Sequence, residues 1–132
     1  MGAKVGIVLV SHSGRLAEGV KELLEQLGAR PESVAAAGGD PDGGIGTSYE
    51  RIMEAVSEVD QGAGVVVLPD IGSAVMTARL VLEDEPRDDA AVVDAPFVEG
   101  AVAAGVLAST GAGLDAVVSA AREAYTARKI QD

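Results

Sequence analysis

The chain alternates between short runs of branched apolar residues and longer stretches with apolar positions at helical spacing. "KVGIVLV" (4–10) has no polar position after its lysine, which predicts a strand buried on both faces. "GRLAEGVKELLEQLG" follows, with Leu16, Val20, Leu23, Leu24 and Leu27 on one helical stripe, Ser13 placed to cap its start and Gly28 its end. "SVAAAG" (33–38) reads as a weaker second strand, and "GGDPDGGIG" (38–46) as a turn-rich loop. In "TSYERIMEAVSEV", Thr47 with Glu50 three residues on has the form of a capping box, and Ile52, Met53, Val56 and Val59 mark the buried face. "AGVVVLPD" (63–70) is the clearest strand, ended by Pro69. After it come a third helix from near Ser73, an acidic surface loop over 83–89 and a short fourth strand in "AAVVDAP". Two helices, "FVEGAVAAGVLAST" and "LDAVVSAAREAYTAR", close the pattern.

Strand and helix in alternation predict an α/β fold: one doubly wound, mostly parallel four-stranded sheet, order 2-1-3-4, flanked by helices. No repeat, linker or low-complexity segment interrupts the 132 residues, so a single domain over 1–132 is expected. In such sheets function gathers outside the carboxyl ends of the strands, where the strand order reverses. That rim receives Ser11, His12, Ser13 and Gly14 after the first strand, and Gly46, Thr47 and Ser48 after the second. Asp70, Ile71, Gly72 and Ser73 reach it after the third.

Composition narrows the chemistry. His12 is the only histidine and there is no cysteine, which excludes disulfides, thiolate catalysis and the common zinc ligand sets. Two Tyr, one Phe and no Trp leave little for base stacking, and a net charge of -11 repels phosphate backbones and anionic lipid, so no nucleic-acid or membrane partner is expected. The apolar run near the N-terminus, 5–10, is too short to span a membrane and lacks a cleavage site, so the expectation is a soluble, cytoplasmic protein.

Topology sets His12 and Asp70 face to face across the switch point. A carboxylate that accepts from one ring nitrogen fixes the tautomer and leaves the other nitrogen with a free lone pair, able to act as base or nucleophile. Helix N-termini around it offer unpaired N–H groups to a tetrahedral anion, and Ser13, Thr47 and Ser73 add hydroxyls. Other readings stay open at this point. A lone histidine also fits a surface role, and Asp70, Thr47 and Ser73 each fit a helix cap. The "GGIG" loop has neither GxGxxG spacing nor the Lys-Ser/Thr of a P-loop, which argues against an ordinary nucleotide site.

Four segments, in order, carry a resemblance: "VSHSGRLAEGV" around His12, "GGIGTS" (43–48), "LPDIGSA" (68–74) and "APFVEG" (95–100). Together they resemble the phosphocarrier subunits of the dihydroxyacetone kinase that depends on the phosphoenolpyruvate phosphotransferase system, and more broadly the mannose-class enzyme IIA domains. The resemblance runs from Lys4 to Tyr125, and "DIGSA" favours the dihydroxyacetone branch over the sugar transporters. It implies a transferase in which His12 takes a phosphoryl group from the phosphohistidine of the carrier protein HPr. The group then passes to ADP held on the nucleotide-binding subunit of the kinase. The resemblance further implies Asp70 as the orienting carboxylate and Nε2 as the phosphorylated atom, and the rim residues Ser13, Gly46, Thr47, Gly72 and Ser73 are then the expected cradle of the phosphoryl group. It implies a homodimer and neither metal nor cofactor on this chain. Pro69, directly before Asp70, departs from the family pattern and bears on where the carboxylate points. A mannose-class sugar-transport IIA, with the same chemistry and another acceptor, and a non-catalytic anion-binding module on a flavodoxin-like scaffold are the alternatives.

Overall fold

The computed structural model describes residues 2–130; Met1, Gln131 and Asp132, the ends of the expected domain, lie outside the described residues. Its elements are β1 (Gly6–Ser11), α1 (Gly14–Gln26), β2 (Val34–Gly38), α2 (Tyr49–Val59), β3 (Val65–Pro69), α3 (Gly72–Asp84), β4 (Ala90–Val92), α4 (Phe97–Ser109) and α5 (Leu114–Glu123). The four strands form one sheet in the order β2-β1-β3-β4, every pair parallel. This is the expected topology.

The strand pleat sorts side chains into two cores. Ile7, Leu9, Val66 and Leu68 face α1, α4 and α5, where they meet Leu24, Ala104 and Val117. Val8, Val10, Val65 and Val67 face α2 and α3, against Ile52, Val56, Ala74 and Val81. Burial on both faces is why the strands read as unbroken apolar runs. Among the described residues no helix is long and apolar enough to cross a membrane.

Local details depart from the sequence pattern. On α1 the buried residues are Ala17, Val20 and Leu24, while Leu16, Leu23 and Leu27 are each 40% or more exposed. Small Ala17 lets the helix approach the sheet, and Leu16, Leu23 and Leu27, which share one flank of that face, are left outside. The N-cap of α2 is Ser48, not Thr47: the Ser48 hydroxyl accepts from the Arg51 N–H at 3.3 Å. Helix α3 begins one residue before Ser73, with Ile71 at its cap position and no side-chain cap bond, so neither Asp70 nor Ser73 serves as its N-cap. Its last residues, Glu83 and Asp84, belong to the helix and not to the acidic loop.

Ser48 is buried, and removing its hydroxyl takes away the acceptor that caps the Arg51 N–H. Ser48→Ala is therefore expected to lower unfolding free energy by about 1 kcal/mol, and Ser48→Thr to keep most of it. Urea denaturation of the three proteins measures this; equal midpoints for wild type and Ser48→Ala would assign the cap elsewhere.

Candidate functional site

The parallel register pairs Val10 with Pro69, so the residues that follow each strand leave the sheet side by side. Asp70 continues the ladder by one bond, its N–H donating to the Val10 carbonyl at 2.9 Å. Pro69 does not disturb this. In β3 the odd-numbered residues direct their backbone groups at β4, as the 2.9 Å bond from the Val93 N–H to the Val67 carbonyl shows. Beyond Val92 there is no strand left to need the N–H that proline lacks.

The Asp70 carboxylate is the hub of the rim. One oxygen, Oδ1, accepts from His12 Nδ1 at 2.9 Å and from the Ile71 N–H at 2.7 Å. The other, Oδ2, accepts from the buried Ser11 hydroxyl at 2.8 Å and from the His12 N–H at 3.1 Å. Burial opposes ionisation of this carboxyl, yet the hydrogen bonds from Ser11, His12 and Ile71 outweigh it and hold the group below its ordinary value of 3.8. An ionised Asp70 can only accept, so the proton between the two side chains sits on Nδ1. His12 Nε2 then carries the lone pair, and the Ser73 hydroxyl donates to it. The His12 side chain is 19% exposed and that of Asp70 10%: the carboxylate is sunk deeper into the rim than the ring.

Backbone contacts hold the histidine from the other side. Gly46 donates its N–H to the His12 carbonyl at 2.8 Å, and Gly39 donates to that of Ser11 at 3.1 Å. A Cβ on Gly38 would lie 2.6 Å from the Ser13 carbonyl oxygen, so only glycine lets the end of β2 press against the start of α1. Arg51 secures the same corner by donating from Nη1 to the Gly38 carbonyl at 3.0 Å.

The seven expected site residues thus have different tasks. His12, Asp70 and Ser73 come together as a unit, and Gly72 opens α3 beside them. Ser13 caps α1, its hydroxyl accepting from the Leu16 N–H at 3.2 Å. Two expectations need correcting. The N–H of Gly46 serves the His12 backbone and is not free for an anion. The Thr47 hydroxyl faces that of Thr77 at 3.0 Å, and Thr77 spends its one proton on the Ser73 carbonyl, so Thr47 is the donor of the pair and braces α3. Ser11, which the sequence pattern gives no role, is the buried donor that fixes the carboxylate. Its one sequence signal is a polar residue closing an otherwise apolar strand.

Electrostatics also single out one side of the rim. First turns of helices usually carry acids, and α2, α4 and α5 do so with Glu50, Glu99 and Asp115. The two helices that start next to His12, α1 and α3, have none, in a chain with 21 acidic residues. The positive ends of these two helices therefore carry no carboxylate of their own in the first turn. A cavity of about 600 Å³ lies at the opposite end of the sheet, lined by Lys4, Val5, Ala29 and Gly105 among others. The histidine itself stands on an open rim, with Ile45, Ile71 and Met76 exposed on the segments that form or adjoin it.

The family model EIIA-man, described as the PTS system fructose IIA component, matches residues 6–118. That span covers every strand and includes both His12 and Asp70. The chain belongs to the EIIA-man family. Within the family it is 41% identical over 134 residues to the phosphoryl donor subunit DhaM of the PEP-dependent dihydroxyacetone kinase of Klebsiella michiganensis. That alignment takes in 96% of this chain and 28% of the relative, so the chain spans under a third of the length of that protein. The DhaM phosphotransferase subunit of Lactococcus lactis is 38% identical over 112 residues, 85% of this chain and 89% of its own. A crystal structure of a protein of unknown function, EF1359, superposes with a TM-score of 0.80 at 32% identity, covering 98% of this chain and 99% of that one.

Proposed function

We propose that this EIIA-man chain is a phosphohistidine carrier, a phosphotransferase subunit that works in the cytoplasm. It accepts a phosphoryl group from phospho-HPr on His12 Nε2 and delivers it to ADP bound on the nucleotide-binding subunit of dihydroxyacetone kinase. One observation carries the reading: Nδ1 is pinned by an ionised Asp70 while Nε2 points outward beside two helix N-termini free of acids. Kinship with DhaM phosphoryl donor subunits supports a dihydroxyacetone kinase subunit as the acceptor.

The geometry suits in-line transfer. The Nε2 lone pair forms the new P–N bond as the P–N bond to the donor's histidine breaks, and that electron pair returns to the donor nitrogen. The Nδ1 proton stays on its bond to Asp70, whose charge steadies the ring as it becomes cationic. Ser73 must release Nε2 for the attack; its hydroxyl and the N–H groups of Gly72 and Ser73 then lie close to the phosphoryl oxygens. Such a step is mostly positioning and charge stabilisation. The reading asks for no metal or cofactor on this chain. It includes a homodimer, for which α4 offers a surface: Glu99 is its one charged residue, and Val98 and Val106 are exposed.

The test is intact-mass spectrometry at mildly alkaline pH after incubation with phosphoenolpyruvate, enzyme I and HPr. One acid-labile phosphoryl group is expected, and it should discharge on adding the ADP-loaded kinase subunit. A chain that stays unmodified beside an active donor overturns the carrier reading. Loading without discharge removes the dihydroxyacetone acceptor and leaves a IIA of another branch.

A further inference from the structure

The chain sets ten Lys and Arg against 21 acids, and most of the cations are committed to other partners. Lys4 donates to the Ser109 carbonyl, Arg51 to that of Gly38, and Arg87 to Asp60 and Ser57. Lys21, Arg30 and Lys129 face Glu25, Glu32 and Glu99. Arg79 lies midway along α3, Arg122 near the end of α5, and Arg128 beyond it. Arg15 stands apart. It is the second residue of α1, three positions after His12, exposed, and without a carboxylate partner among the described ion pairs.

Its position runs against local electrostatics. A cation in the first turn opposes the helix dipole, and α1 holds one where α2, α4 and α5 hold an acid. A local rule broken beside a reactive group points to a functional return. Arg15 lies about 3 Å of helical rise above the capping Ser13, within the span of an extended guanidinium from the rim. It lines a groove with Ser13, Gly14 and Ile45 on its rim side and with Glu18 and Glu22 further down α1.

We propose that Arg15 is a further catalytic residue of the phosphoryl step. Its guanidinium turns from the groove onto the phosphoryl oxygens as the group arrives at His12 Nε2, and offsets their charge in a chain otherwise strongly negative. The inference rests on the carrier reading above. Bond changes are the same as in that reading: the P–N bond to the donor breaks, the P–N bond to Nε2 forms, and the electron pair goes to the donor nitrogen. Arg15 stays protonated throughout.

The experiment is single-turnover phosphorylation by phospho-HPr of the full chain, wild type, Arg15→Gln, Arg15→Lys and, as control, Arg122→Gln. The phosphorus-31 shift and hydrolysis lifetime of each phosphorylated product are recorded as well. Arg15→Gln is expected to slow loading by about 10- to 100-fold, the loss typical of one charge-stabilising donor. It should also move the phosphorus resonance, while Arg15→Lys recovers part of the rate and Arg122→Gln matches wild type. Thermal melting separates a structural role, since removing a cation from the first turn leaves Tm unchanged or raised. Wild-type loading and an unmoved resonance in Arg15→Gln overturn the inference alone. A wild-type chain that takes no phosphoryl group from an active donor overturns the carrier reading and this inference together.

Discussion

His12→Ala is expected to take up no acid-labile phosphoryl group under conditions that load the wild-type chain fully. No other side chain can substitute, because the chain has no second histidine and no cysteine. Two neighbouring groups remain occupied in the variant: the Ser11 hydroxyl is buried and donates to Asp70, and the Asp70 carboxylate still accepts from Ser11 and from two backbone N–H groups. The variant should still fold. His12 is held partly through its backbone, by the bond from its N–H to Asp70 and the bond from Gly46 to its carbonyl, and alanine keeps both. Loss of the ring removes one charge-assisted hydrogen bond, about 1.5–3 kcal/mol at most. Intact mass before and after mild acid, with circular dichroism on the same samples, is the measurement. A phosphoryl group retained in His12→Ala, or one stable to acid, would place the chemistry on another residue.

Asp70→Asn is expected to load about 10⁴-fold more slowly, the size of effect seen when an orienting carboxylate is replaced in a catalytic triad. Asp70 receives donors on both oxygens: Nδ1–H and the Ile71 N–H on one, the Ser11 hydroxyl and the His12 N–H on the other. An amide has one oxygen and one NH₂, so one of those pairs must face a donor. If the NH₂ faces the ring, Nδ1 becomes the acceptor and the proton moves to Nε2, which removes the attacking lone pair. If it faces Ser11, it meets the His12 N–H, and the segment carrying the histidine is pushed off the rim. Transient kinetics with phospho-HPr reads the rate; loading at wild-type speed would show that the carboxylate neither sets the tautomer nor holds the ring.

The same carboxylate links the site to stability. Its folded pKa lies below its ordinary value of 3.8, so the ionised form stabilises the native state. That contribution is fully present above about 3.8 and is lost as pH falls through the lower folded value. Wild type should therefore be more stable than Asp70→Asn at neutral pH, and the gap should narrow below about pH 4. Urea titrations of both proteins at pH 7 and pH 3 test the sign. A gap that stays constant between them would mean the difference comes from packing and not from charge.

Much of this protein is legible along the chain because its information is local or periodic. Apolar runs in 4–10 and 63–70 announce strands buried on both faces, and helical stripes between them leave a parallel sheet as the one economical arrangement. Once that topology holds, strand ends at Ser11 and Pro69 must be neighbours, and His12 meets Asp70 without any knowledge of coordinates. What the sequence left open depended on where individual protons and side chains point. Thr47 and Ser48 are both good caps on paper. Only the contact between Thr47 and Thr77 on α3, 30 residues away, commits one hydroxyl elsewhere and leaves Ser48 at the cap. Likewise the leucines of α1 look equivalent in a periodic pattern, and it is the close approach of Ala17 to the sheet that decides which of them face solvent. Ser11, Gly38 and Gly46 gain their roles only from partners across the rim, because a hydrogen bond or a close backbone approach is a property of two segments and not of either one. The sequence by itself determined the scaffold and the meeting of His12 with Asp70. Tertiary structure decided the tautomer, the supporting donors and the free edge of the ring, since each of these follows from the contacts folding makes between distant parts of the chain.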